Sequence, residues 1–299
     1  MPDHHDLIDA HHHLWDLEAV HYPWLMEQGV KRFFGDPAPI QRNYHVAQLK
    51  ADMGALPISR SVHVQVGAAP DHTVKETAWV QSQADEEVGL PQAIVAFCDL
   101  AAKDAAGVLE QQLAYANVRG IRQIVGRAPA EDAVTGSDAL LANPRWRSTL
   151  GQLPDLGLSF DLQLIPPQLP RMLKILQSMP QLKVAICHCG SPWDRSPEGL
   201  AHWGRYMREM AALPNVYCKL SGFGMFDPHW SSESIRDVVL PVIDAFGPQR
   251  CMWGSNFPVD SLAADYASVF ARVGKLLAEF SADEQAQMLR DTAAGFYRI

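Results

Sequence analysis

The sequence predicts a distorted (β/α)8 TIM barrel, and three observations carry that expectation. Eight short apolar runs alternate with helical patterns along 299 residues. Most runs are rich in Val, Ile, Leu and Cys without polar alternation, as parallel strands buried on both faces require. Polar residues fit for chemistry collect at the ends of the runs, where barrel enzymes build their sites. An open doubly wound sheet is the runner-up. No Gly-x-Gly-x-x-Gly follows the first run, so its dinucleotide-binding form lacks a phosphate cradle.

The expected strands are Leu7–His13, Ser61–Val66, Ala93–Leu100, Gly120–Val125, Leu158–Leu164, Leu182–His188, Asn215–Ser221 and Arg250–Ser255. Apolar residues at helical spacing predict helices over Thr73–Val88, Ala106–Ala116, Gln168–Ser178, Gly199–Leu213, Ser232–Phe246 and Leu262–Phe280. Two more, Ser281–Leu289 and Asp291–Tyr297, open on cap residues in Ser281 and Asp291. No linker or low-complexity stretch divides the chain, so residues 1–299 read as one domain. The segment 17–53 exceeds an ordinary connection and carries Tyr22, Trp24, Phe33 and Phe34. It reads as an insertion or lid over the barrel mouth.

Composition narrows the function. The net charge is -9 and no Lys/Arg run tracks a phosphate backbone, which argues against nucleic acid. No apolar stretch is long enough to cross a bilayer, and the polar start Met1-Pro2-Asp3-His4-His5-Asp6 is unlike a signal peptide. Five cysteines without a framework spacing predict free thiols and a cytoplasmic chain. The expected partner is a small-molecule substrate, with homo-oligomerisation left open.

The run Asp9-Ala10-His11-His12-His13 is the most telling stretch. Strand parity puts His11 and His13 on one face and His12 on the other. The second run gives His63 and Gln65, the fourth Arg122 with Arg127 beyond it, and the fifth Asp161 and Gln163. The sixth ends in Cys187-His188-Cys189-Gly190-Ser191, the seventh in Lys219 and Ser221, and the eighth in Ser255-Asn256-Phe257-Pro258-Val259-Asp260. Lys219 is read either as a substrate contact or as the buried ion-pair partner of Asp161. Cys187 and Cys189 read as small buried hydrophobes rather than ligands.

Taken together, these motifs resemble the amidohydrolase superfamily, in the amidohydrolase-related branch of sugar lactonases and 2-pyrone-4,6-dicarboxylate hydrolase. The resemblance rests on Ile8–Asp16, on Glu76-Thr77 with Trp79, and on Gly120-Ile121-Arg122. It continues through His188-Cys189-Gly190-Ser191-Pro192, Lys219-Leu220-Ser221-Gly222 and Gly254-Ser255-Asn256-Phe257-Pro258-Val259. It implies a distorted barrel that hydrolyses an ester-like bond in a small carbonyl compound. Where the superfamily ends its eighth strand in an aspartate base, this chain has Asn256, which takes no proton from water at neutral pH. A carboxylated lysine and a histidine ending the fifth strand have no counterpart.

The implied reaction is water attack on a small anionic lactone or cyclic ester. His11, His13 and His188 would polarise the carbonyl, either alone or by holding one zinc ion, so the cofactor is none or one divalent metal. Arg122 and Arg127 would clamp a carboxylate, with Gln65, Lys219, Ser221 and Asn256 completing the substrate contacts. Asp260, one of the histidines or Asp161 would serve as base. The alternatives are a metal-dependent decarboxylase of an aromatic or unsaturated acid and a non-catalytic barrel that binds small acids.

Overall fold

The computed structural model describes residues 6–86 and 90–299. Among these residues one sheet of eight parallel strands runs in chain order. They are β1 (Leu7–His12), β2 (Ile58–Val64), β3 (Ala93–Ala96), β4 (Val118–Arg122), β5 (Ser159–Leu162), β6 (Val184–Ile186), β7 (Val216–Leu220) and β8 (Cys251–Trp253). Just beyond β8 the chain returns to β1. Asn256 N–H donates to the His11 carbonyl and His13 N–H to the Phe257 carbonyl, each at 2.7 Å. These bonds close the cylinder that the eight apolar runs predict.

Helices lie between the strands. Residues 17–53 contain α1 (Pro23–Met26) and α2 (Val46–Met53), and α3 (Thr73–Glu86) and α4 (Ala105–Leu113) follow. Next come α5 (Pro129–Thr135), α6 (Pro144–Leu150), α7 (Leu169–Gln177), α8 (Pro197–Ala211) and α9 (Ser232–Phe246). The last are α10 (Tyr266–Leu277), α11 (Ala282–Ala286) and α12 (Thr292–Tyr297). Val88, placed in the third helix by its pattern, lies outside the described residues, as does the opening Met1–His5.

Two helices were not expected, and two expectations need correction. The helices α5 and α6 have seven residues each, too few to show a period, although Asn143 announces α6 by accepting from Arg145 and Trp146 N–H. The helix expected from Leu262 begins at Tyr266, where Asp265 caps by accepting the Ser268 N–H at 2.7 Å. Asp291 caps nothing, because a π turn over Gln287–Asp291 carries the helix straight into α12.

The interior of the cylinder is packed, not hollow. Ile8, Ala10, Val62, Val64, Ala93, Val95, Ala185 and Met252 fill it, and α12 adds Ala293, Phe296 and Tyr297. At the centre Lys219 Nζ lies 2.6 Å from Asp161 Oδ2 and donates to the Ala10 carbonyl at 2.8 Å. Tyr297 O–H donates to the same carboxylate. Both charges are fully buried, so the pair stands only because each group is matched by several partners.

Candidate active site

The site is shaped by a bulge. Between Asp9 and His12 the register of β1 against β2 slips by one residue. Before the slip Ile8 and Ala10 face the interior, and after it His11 and His13 do, so the bulge reverses the parity within one strand. His12 is turned away into the wall, where its Nε2 meets Ser61 Oγ at 2.8 Å and its ring packs on His63.

Three imidazoles meet at the C-terminal mouth. The ring of His11 lies 5.1 Å from that of His13 and 4.6 Å from that of His188, centroid to centroid. His188 arrives on a strained turn, since His188, Cys189 and Ser191 all have φ between 51 and 55°, with Gly190 at 69°. Such left-handed backbone on non-glycine residues costs roughly 1 kcal/mol or more each and persists where the surroundings fix it. Ser221 Oγ holds His188 Nδ1 at 2.9 Å, and the Val64 carbonyl holds His13 Nδ1 at 2.6 Å. Burial, helped by Lys219 and Arg122, pushes His11 and His188 well below the usual histidine range. Burial and Arg122 take His13 down to about 3. All three are therefore neutral at neutral pH, each able to offer one donor and one lone pair.

The rings of His13 and His188 line an open cavity together with Asn256, Arg122, Arg127, Arg32 and Gln163. His11 is fully buried and does not reach that lining. Arg122 donates to the Gln65 carbonyl and, at 3.2 Å, to Gln163 Oε1, which aims it into the mouth. Arg127 has only its backbone engaged, by Asp132 and Trp193. Among the described residues its guanidinium makes no hydrogen bond, although the Glu131 and Asp132 carboxylates bear on it. Burial beside Arg32 draws it down to about 10, still charged at neutral pH.

Trp24, Phe33 and Phe34 from the 17–53 segment also line this cavity. The segment is fastened by Arg32, whose fork takes both oxygens of Glu131 at 3.0 and 2.7 Å, while Phe33 N–H adds a third bond.

Not every expected residue lines the cavity. Gln65 lends its carbonyl to Arg122, and its own Oε1 is buried without a partner among the described residues. Lys219, expected among the substrate contacts, is instead sealed below the site on Asp161, its ammonium 3.5 Å from His11 Nδ1. Ser221 touches His188 rather than the opening. Asp161 is consumed by Lys219 and Tyr297, which removes it as a base. Asp260 stands one layer back, behind Asn256, whose Nδ2 donates to its Oδ1 at 2.9 Å.

Sequence reasoning missed Arg32 and Glu76 as part of the site's frame. Glu76 Oε1 accepts the Val66 N–H at 2.7 Å at the cavity edge, and burial raises its carboxyl to about 7.

A divalent ion was expected, if at all, on His11, His13 and His188. Among the described residues no group of three or more His, Cys, Asp or Glu side chains is arranged to hold a metal ion. The field opposes one too, because the Arg122 cation bears on all three rings and the Lys219 cation on those of His11 and His188. The three imidazoles as placed do not fit a metal triad. The five cysteines are buried free thiols, and no helix among the described residues is long and apolar enough to cross a membrane.

Comparison with known proteins places this geometry. The amidohydrolase family profile matches residues 8–299. An uncharacterized protein, y4mH, of Sinorhizobium fredii is 36% identical over 294 residues, covering 98% of each chain. An L-fucono-1,5-lactonase of Burkholderia multivorans is 30% identical, covering 98% of this chain and 96% of its own. A crystal structure of an amidohydrolase from Burkholderia multivorans with bound zinc superposes with a TM-score of 0.81 at 28% identity, covering 98% and 99% of the two chains.

Proposed function

We propose a function from one premise: this chain belongs to the amidohydrolase family and is a hydrolase. The bond it cleaves is the ester of a small anionic lactone. The observation that carries this reading is one cavity lined both by the neutral imidazoles of His13 and His188 and by the guanidinium groups of Arg122 and Arg127. Guanidinium binds a carboxylate in a fork, and imidazole N–H donors bind an ester carbonyl as it becomes an oxyanion. The L-fucono-1,5-lactonase relative supports a lactone as the ester.

In this reading Arg127, with Arg122 and Gln163, holds the substrate's acidic group. His188 faces the carbonyl oxygen, with the buried ring of His11 packed against it. Water adds to the carbonyl carbon, one of its protons passes to an imidazole, and the ring oxygen leaves with that proton. Each donor that stabilises the oxyanion contributes about 3 kcal/mol. The 17–53 segment acts as a lid on a single domain of residues 1–299, its Trp24, Phe33 and Phe34 excluding bulk water. None of these steps needs a metal.

The test is a screen of purified protein against sugar lactones and carboxylated pyrones, followed by His188→Ala. A lactone turned over by the wild type, with kcat about a hundredfold lower in the variant and KM little changed, supports the reading. Equal turnover by both proteins removes His188 from it, and no turnover of any lactone overturns it.

A further inference from the structure

Asn256 sits between two groups that compete for one amide. Its Oδ1 lies 3.3 Å from His13 Nε2, and its Nδ2 donates to Asp260 Oδ1. The Val64 carbonyl, 2.6 Å from His13 Nδ1, can only accept, so it fixes the proton of neutral His13 on Nδ1. His13 Nε2 then carries a lone pair that faces the amide oxygen, acceptor against acceptor. The mismatch vanishes when Nε2 gains a proton. The chain then reads imidazolium N–H to amide oxygen and amide N–H to carboxylate, with every donor facing an acceptor. The backbone of Asn256 is pinned at φ 57° with its N–H on His11, so only the amide group is free to turn.

We infer that His13 takes the proton from the attacking water, and that Asp260 acts through the Asn256 amide as a positioning residue that stabilises the resulting imidazolium. This rests on the lactone-hydrolase reading and names its base. The steps balance. A water O–H proton moves to His13 Nε2, and the hydroxide oxygen bonds to the lactone carbon. The carbonyl electron pair moves to oxygen and returns as the ring C–O bond breaks, and His13 gives its proton to the departing ring oxygen. The product is the open hydroxy acid.

Protonation of Asp260 reverses the arrangement. The acid O–H donates to Asn256 Oδ1, the amide turns, and Nδ2 caps His13 Nε2, blocking the base. Activity therefore requires ionised Asp260. Asp260 is buried, and among the described residues its Oδ2 has no partner. The turns packed against it, Phe223–Met225 and Ala38–Ile40, bring no titratable side chain. Only the Asn256 amide and the Gly224 N–H favour its charge, and burial outweighs them to place it at about 7.

The experiment compares pH profiles of kcat/KM for the wild type and Asp260→Asn. The wild type is expected to show a rising limb near pH 7, and the variant to be at least tenfold slower at pH 8 with that limb gone. A variant that keeps the wild-type midpoint, whether its rate is equal or uniformly lower, overturns the inference. A second readout needs neither substrate nor the variant. The nitrogen-15 shift of His13 Nε2 in the free wild-type protein is expected to move with the Asp260 titration, as the amide turns. A shift that does not move overturns the relay. A moving shift in a protein inactive on lactones keeps the relay and overturns the lactone reading alone.

Discussion

A β-carbon at position 222 would stand 2.3 Å from His188 Nδ1, so the absence of a side chain at Gly222 is what admits the His188 ring. The backbone there has φ 71°, which glycine adopts at least cost. Gly222 thus serves two needs at once, a left-handed corner after β7 and room for an imidazole that belongs to β6.

Replacing Gly222 with alanine therefore displaces His188 rather than simply straining a turn. Gly222→Ala is expected to lower kcat/KM at least tenfold while lowering stability by only about 1–2 kcal/mol. Lactone assays beside chemical denaturation check this. Full activity with a large stability loss would mean that the ring has room elsewhere.

The central ion pair answers to a different measurement. Lys219→Met leaves the Asp161 carboxylate buried with Tyr297 as its main partner. Breaking such a pair costs about 3–5 kcal/mol. Urea unfolding is expected to show that loss, and adding Asp161→Asn to recover most of it. A loss below about 1 kcal/mol would mean that the pair is not sealed from water.

Glu76 gives stability a pH dependence with a defined sign. Its carboxyl is raised by burial from 4.5 to about 7 in the fold. A carboxyl that is easier to protonate folded than unfolded stabilises at low pH, and the advantage is lost as pH rises from about 4.5 through about 7. The loss is on the order of 3 kcal/mol. Glu76→Gln keeps the acceptor for the Val66 N–H and removes the charge. The variant is expected to be more stable than the wild type at pH 8 and about equal to it at pH 4. A variant less stable at pH 8 would contradict this.

Metal removal is the fourth test, made pointed by the zinc in the Burkholderia multivorans structure. Dialysis against a chelator, with metal content followed by elemental analysis, is expected to leave lactone turnover unchanged. Activity lost with the metal and restored by zinc would show that the imidazoles rearrange around an ion.

The barrel was legible in the sequence because most strands are apolar enough to read as doubly buried, and because the runs recur at βα spacing. The strand-end rule likewise named His13, His188, Arg122 and Arg127, which the fold gathers around one cavity. Position within a strand end was less legible. Parity alone gives His11 and His13 a shared face, but it also turns Ala10 away from them. The bulge in β1 puts all three inside, and no local signal marks it. Lys219 and Asp161 are compatible with either a mouth or a core, and only the depth of their side chains decides. Arg32 was invisible because its approach depends on the path of a long insertion held by Glu131, a residue 99 positions away.

The account's central claim is that the arginines lining the cavity grip an acid while its histidines open a lactone. The direct measurement pairs two lactones that differ only in a carboxylate and compares kcat/KM for the wild type and Arg127→Met. The wild type is expected to favour the carboxylated lactone at least tenfold, and the variant to lose that preference while still hydrolysing the neutral one. An undiminished preference in Arg127→Met, or no hydrolysis of either lactone by the wild type, would contradict the claim.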